Sequence, residues 1–282
     1  MTDRAGSWLE ATACRFDLFD VGVPSDDPRW IPLTAVLDSA WLRGALGTLE
    51  AGNGHGPRPR SVIGSYFAAD LAWQVVTTAG IVLHADGRAL DLGLDHLAVR
   101  IDDQGWPSRV ALVDPTFAAL AADPAVGSPG VSAVGDRDAL LDHLAERIVE
   151  TMRPVFTAVR AQTPYGLAGM WGALADHVAN LSWNLRDAEA SAEELDDAWA
   201  TTEALIDRIA VAEPRLKARP RRFTFRTPDG TVQLPMRSTC CLYYLTPEAD
   251  AAEGDGKCTT CPLRDDEDRI ARVEAGFANP TH

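Results

Sequence analysis

The chain has 282 residues and 46% hydrophobic content, enough to bury a substantial core as one large domain or one and a half, which excludes disorder as the default. Its formal net charge of −15 argues against a nucleic-acid partner, because phosphate binding needs a concentrated excess of Lys and Arg. The first ten residues lack the basic start and apolar run of a signal peptide. No stretch has the roughly 18–20 continuous apolar residues of a membrane span, so a cytoplasmic protein without a span is expected.

In chain order, residues 31–49 read as helix and lead into a loop, residues 51–60, rich in glycine and proline. Gly52, Gly54 and Gly56 are spaced G-x-G-x-G after a helical pattern, which is not the dinucleotide fingerprint, and they are assigned to a turn. No G-x-x-x-x-G-K-[ST] occurs, so neither a nicotinamide nor a nucleotide-phosphate site is encoded. A helix over 61–78 follows. Residues 97–101 and 109–113 then flank Asp102, Asp103, Gln104 and Gly105 as an antiparallel hairpin.

From Asp136 to about Glu213 apolar residues step by three and four, predicting three helices. The first runs through Leu140, Leu144, Ile148, Met152, Val155 and Val159, the second through Leu167, Met170, Leu174, Val178, Leu181 and Leu185. The third carries Leu195, Trp199, Leu205, Ile206 and Ile209; Ser191 with Glu194 caps its start and Pro214 marks its end. A second hairpin, 223–226 and 232–234 around Pro228-Asp229-Gly230, leads straight to Cys240.

Of five cysteines, Cys14 stands alone and reads as a small core residue or a surface thiol. Cys240, Cys241, Cys258 and Cys261 share one short segment, which in a reducing compartment points to a metal site or a redox pair rather than a disulfide framework. The C-x-x-C at Cys258 and Cys261 puts two thiolates on one tight turn. The adjacent pair Cys240-Cys241 can join one site only if the backbone turns there, since successive side chains of a strand face opposite ways. Structural zinc sites usually use two C-x₂₋₄-C knuckles, which an adjacent pair fits poorly, and a dithiol redox pair would leave Cys240 and Cys241 unexplained. Spacing alone leaves iron–sulfur, zinc and redox disulfide open.

The run Cys240-Cys241-Leu242-Tyr243-Tyr244, followed by a proline, a glycine-containing loop and C-x-x-C, with basic residues ahead of it, resembles the C-terminal signature of the FhuF-type ferric siderophore reductases. Upstream, Pro59-Arg60 before Ser61-Val62-Ile63 is similar to a proline-arginine-apolar stretch of that family. The family pattern is Cys-Cys-x₁₀-Cys-x₂-Cys; here sixteen residues separate Cys241 from Cys258, the excess falling in the polar stretch 248–257. Loop closure grows only slowly with length, so ligation survives such an insertion.

The resemblance implies a [2Fe–2S] cluster on Cys240, Cys241, Cys258 and Cys261. The implied activity is one-electron reduction of a ferric siderophore, hydroxamate type favoured, with release of Fe²⁺ and an external donor such as ferredoxin or a flavin- or NAD(P)H-dependent reductase. The implied fold is α+β: predominantly helical with antiparallel β-hairpins and a small C-terminal iron–sulfur segment, divided into a siderophore-binding domain (1–222) and a hairpin-plus-cluster segment (223–282). Arg60, Arg237, Tyr243 and Tyr244 are the candidate substrate residues. Asp265 and Asp266 would lower the cluster potential.

Several features have plainer readings. Arg58 with Arg60, and Lys217, Arg219, Arg221, Arg222, Arg226 and Arg237, form either a solvated surface or a docking patch for an acidic donor. His177 and Trp171 read as structural; Trp30, Trp41, Trp73, Trp106 and Trp183 read as core before pocket. The alternative to a reductase is a zinc-stabilised siderophore- or partner-binding protein, or a thiol redox sensor.

Overall fold

The computed structural model describes residues 4–23, 27–52, 57–184, 191–228, 230–251 and 255–278. In chain order the elements are α1 (Arg4–Phe16), β1 (Phe19–Val21), β2 (Trp30–Pro32), α2 (Ser39–Ala51), α3 (Arg60–Asp86), β3 (Ala89–Leu90), β4 (Leu97–Ile101), β5 (Pro107–Leu112), β6 (Phe117–Leu120) and β7 (Val131–Val134). There follow α4 (Arg137–Gln162), α5 (Leu167–Asn184), α6 (Ala192–Ala212), β8 (Arg221–Thr227), β9 (Gly230–Met236), α7 (Pro247–Ala251) and α8 (Asp266–Ala278). The fold is α+β, with helices dominating and three small sheets ordered β1-β5-β4-β2, β3-β6-β7 and β8-β9.

The hydrophobic centre of the molecule is α3. Its side chains are apolar nearly all round, and such a helix must be covered on every side. Val62, Ile63, Phe67, Leu71, Val75 and Val82 are all buried, and α5, α4 and β5 pack around them. By length and composition α3 could cross a membrane, but 67% of its most apolar window is buried within the protein, as in a core helix. It approaches α5 so closely that a Cβ at Gly80 would lie 2.4 Å from Leu181 Cδ1.

The three periodic helices form as α4, α5 and α6, and the Ser191–Glu194 capping box closes the start of α6. Leu185 and Asp229 lie outside the described residues, as do Gly54 and Gly56; Gly52 ends α2 in the left-handed region at φ 85°. Both predicted hairpins exist: β4 pairs antiparallel with β5, and β8 with β9 over seven residue pairs.

Several expectations need correction. Residues 31–49 are not one helix: Trp30–Pro32 pairs with β4, a 3₁₀ turn follows at Leu33–Leu37, and α2 begins only where the Asp38 carboxylate accepts from Ala40 N and Trp41 N, both at 2.8 Å. The helix after Arg60 runs past Thr78 to Asp86. The sheets are not purely antiparallel hairpins, since β1 lies parallel to β5 and β6 parallel to β7. Cys14 is exposed on α1, a surface thiol.

Candidate metal centre

The β8–β9 ribbon delivers the chain to buried Met236, after which residues 237–242 cross the face of α5. The clamp is Asp176, buried at 3% exposure. Its carboxylate accepts from Ser238 N at 2.6 Å, Ser238 Oγ at 2.7 Å and Thr239 N at 3.0 Å. Burial pushes this carboxyl up to about 6 even against those hydrogen bonds and the charge of Arg237. One turn earlier on α5, Gly172 makes room: a Cβ there would sit 2.1 Å from Thr239 Oγ1. The Tyr165 hydroxyl then donates to the Cys240 carbonyl at 3.2 Å.

The turn that an adjacent cysteine pair needs is present. Leu242 adopts φ 63°, ψ 19°, a left-handed conformation rare for a branched residue and costing about 1 kcal/mol. It folds the chain back so that Leu242 N–H points at Cys240 Sγ (3.4 Å) and the Tyr243 amide donates to Cys241. Across from them the C-x-x-C turn is closed by Cys261 N to Cys258 O at 3.1 Å. Arg264, its side chain only 4% exposed, braces that turn: it donates to Cys258 O at 3.1 Å and Lys257 O at 2.8 Å, and pairs with Asp255 and Asp268.

The four thiols lie close enough to perturb one another, Cys241 with Cys258, and Cys240 with both Cys261 and Cys241; Cys261 is 1% exposed. Hydrogen bonding from Cys258, then the charge of Arg237 and the Tyr243 amide, hold the Cys241 thiol below its ordinary range. As the donor in that bond, and through burial, Cys258 is pushed up. Burial pushes Cys240 up as well. Among the described residues no three His, Cys, Asp or Glu side chains converge as one ion would require.

The remaining site candidates separate. Arg237 lies against Cys241 and Cys258, and Tyr243 and Tyr244 form the partly buried 3₁₀ turn beside them. Arg60 is elsewhere in role: it pairs with Glu50 at 2.8 Å and donates to Gln162 O at 3.1 Å, tying α2 and α4 to the start of α3. Asp266 pairs with Arg221 and Arg269. His177 is partly buried and pushed down to about 4 by desolvation, then Arg237, so it is neutral; Trp171 is fully buried, edge-on to Phe156.

Residues that sequence reading missed are Tyr66, Tyr165, Asp176, Gly172 and Arg264. The Tyr66 hydroxyl reaches Cys241 from α3, and burial followed by that sulfur pushes its pKa up. Asp176 carried a signal, a lone acid in an apolar helical pattern, which demands a buried partner. Tyr66 carried none. A cleft of about 500 Å³ lies between α2 and the β4–β5 turn, with Trp41, Ile31 and Ile101 among its walls; Trp106, beside that turn, stacks obliquely on Tyr66 at 6.2 Å.

Residues 65–222 match the family model described as ferric iron reductase FhuF-like transporter. The match covers more than half of the chain and ends ahead of Cys240, so it is independent of the cysteine run. No curated protein matches the chain. A helical core matched over its length by that model means that the chain belongs to the FhuF-like ferric iron reductase family.

Proposed function

We propose that the chain is a cytoplasmic ferric-siderophore reductase whose Cys240, Cys241, Cys258 and Cys261 hold a [2Fe–2S] cluster. The carrying observation is that four free thiols, Cys240, Cys241, Cys258 and Cys261, are gathered in one segment clamped on Asp176, with the Leu242 amide aimed at Cys240 Sγ. Four cysteine thiolates are the complete protein donor set of a [2Fe–2S] cluster. The donor set is complete, its surroundings favour the thiolate at Cys241, and the Leu242 amide aims at sulfur, as in iron–sulfur sites generally.

Such a cluster would supply single electrons, with a potential set within roughly −700 to +450 mV by charge, hydrogen bonds and exposure. Fe³⁺ bound by hard oxygen ligands becomes, on gaining one electron, an Fe²⁺ that those ligands hold less tightly. The chain's own work is to place and shield the sulfurs: Asp176 and Gly172 seat one pair against α5, Arg264 seats the other, and Arg237 answers their negative charge. No proton transfer is required, so no acid or base is assigned. Electrons come from a separate donor, a ferredoxin or a flavin- or NAD(P)H-dependent reductase; free cysteines throughout the described chain fit a reducing compartment. Hydroxamate siderophores are the favoured substrates, on the family resemblance.

The test is composition and spectrum. Protein reconstituted anaerobically with iron and sulfide should carry two of each per chain, show visible charge-transfer bands, and give an EPR signal on reduction. Colourless protein with one zinc per chain, unchanged by reconstitution, rejects the reading in favour of a zinc-stabilised binding protein.

A further inference from the structure

The cleft of about 500 Å³ outside the cysteine segment falls within the roughly 300–1,000 Å³ range of small-molecule sites. One wall is α2, whose Ala40, Gly44, Ala45 and Thr48 are small and leave Trp41 standing beside the open space; β2 and β4 contribute Ile31 and Ile101. Gly44 keeps the cleft open, since a Cβ there would meet no atom within 4 Å.

Two chains of contacts join this cleft to the cysteine segment. Gly105 lines the cleft, and the next residue, Trp106, stacks on Tyr66 of α3 at 6.2 Å. The turn of α3 that carries Tyr66 rests on the loop before α5: a Cβ at Gly64 would lie 2.3 Å from Thr163 Oγ1, and close by Tyr165 donates to Cys240 O at 3.2 Å. At the end of α2, Glu50 O accepts from Arg58 N at 3.3 Å, and the Arg58 guanidinium pairs with Glu248, downstream of the cysteine pair. Both chains run through the start of α3, so cleft and cysteines share that support. Electron transfer weakens steeply with distance, and a substrate iron has to rest near its source.

The cleft also selects by charge. Arg29, on its wall, is held by Asp27 through bonds of 2.8 and 3.0 Å and by Asp103 at 2.9 Å, and Arg100 donates to Asp27 at 3.0 Å. Asp102, also on the wall, accepts from Gln104 N and Trp106 N, both at 2.9 Å. Among the described residues of this network three carboxylates face two guanidiniums, and both guanidiniums are paired. A polyanionic chelate such as a ferric tricatecholate is therefore repelled. An uncharged or cationic ferric trihydroxamate is not, and its methylene linkers suit Trp41, Ile31 and Ile101.

Resting on the siderophore-reductase reading, we propose that the cleft between α2 and the β4–β5 turn is the substrate site, that it takes ferric trihydroxamates of zero or positive charge, and that Trp41, Gly44, Ile31 and Ile101 line the bound chelate.

The test uses the full-length reconstituted protein and a gallium trihydroxamate, a redox-inert stand-in that reads binding without electron transfer. Calorimetric titration gives Kd for the gallium complex, and reduction of the ferric complex gives KM. Gly44→Leu should fill the cleft and weaken binding by about tenfold or more, with KM rising alike. Its melting temperature should hold or rise, because leucine is the better helix former. Trp41→Ala should weaken binding in the same direction. Gly47→Leu, on the same helix but outside the cleft walls, should bind as wild type does. Gallium tricatecholate should bind wild type about tenfold more weakly than the trihydroxamate, or weaker still. A wild-type Kd and KM in Gly44→Leu, an equal loss in Gly47→Leu, or tighter binding of the tricatecholate overturns the proposal while leaving the reductase standing. Wild-type protein that neither binds the gallium complex nor reduces the ferric one refutes the reductase reading as well.

Discussion

At the scale of single residues, two partly buried ionisable groups near α3 report on the same core with opposite sign. Asp70 is pushed up to about 7 by burial and then by Asp102, against 3.8 ordinarily. A carboxyl that binds its proton more tightly when folded costs stability above pH 7, and the cost fades as pH falls from 7 to 4. Asp70→Asn should therefore stabilise the protein at pH 8 by at most about 4 kcal/mol and hardly at all at pH 4, read by urea unfolding at both. His177 is held at about 4 against 6.5, and its Nε2 has no partner. It favours the folded state fully above pH 6.5 and loses that contribution as pH falls to 4. His177→Phe should remove about 3 kcal/mol of acid sensitivity across that window; equal pH profiles for variant and wild type would refute the assignment. Neither role could be read from sequence, since Asp70 and His177 occupy ordinary helical positions and only the packing around them desolvates them.

At the scale of elements, α5 is the platform on which the first cysteine pair sits. Gly172→Ala should drive a methyl into Thr239 and cost about 1–3 kcal/mol, with cluster loading lost before the helical core melts. Arg264→Met should do the corresponding damage to the C-x-x-C turn, leaving the Lys257 carbonyl without this partner and the Cys258 carbonyl with Cys261 N alone, at about 1–3 kcal/mol; circular dichroism and iron content separate loop damage from global unfolding. Legibility follows the same division. Helices α4 to α6 were legible because their apolar spacing is long and regular, and the cysteine site because its residues are chemically distinctive. Strands β1, β2, β3, β6 and β7, of two to four residues, were not: their pairing is non-local, and three residues carry no period. The start of α2 was hidden because Asp38 caps it inside an apolar run that reads as continuous helix.

At the scale of the whole molecule, a large helical core matched by the family model carries a small sulfur site built at its C-terminal end from residues far apart in sequence. Asp176 and Ser238 are 62 positions apart, and Tyr66 approaches Cys241 from near the start of α3. The division of labour predicts a local response to metal removal. In the apo protein, amides of residues 237–242 and 258–264 should exchange hydrogen faster than in the loaded protein, while α3 and α5 keep their protection; simultaneous loss in both helices would show that the site and core form one cooperative unit. The central claim, that these four cysteines deliver electrons singly to siderophore iron, is tested most directly by one anaerobic mixing experiment. Reduced, reconstituted protein is mixed with a ferric trihydroxamate while visible absorbance and chelator-bound Fe²⁺ are followed together. The account predicts that the absorbance of the oxidised cluster returns as one Fe²⁺ appears per electron lost; a cluster that stays reduced in the presence of hydroxamate, catecholate and citrate complexes alike contradicts it.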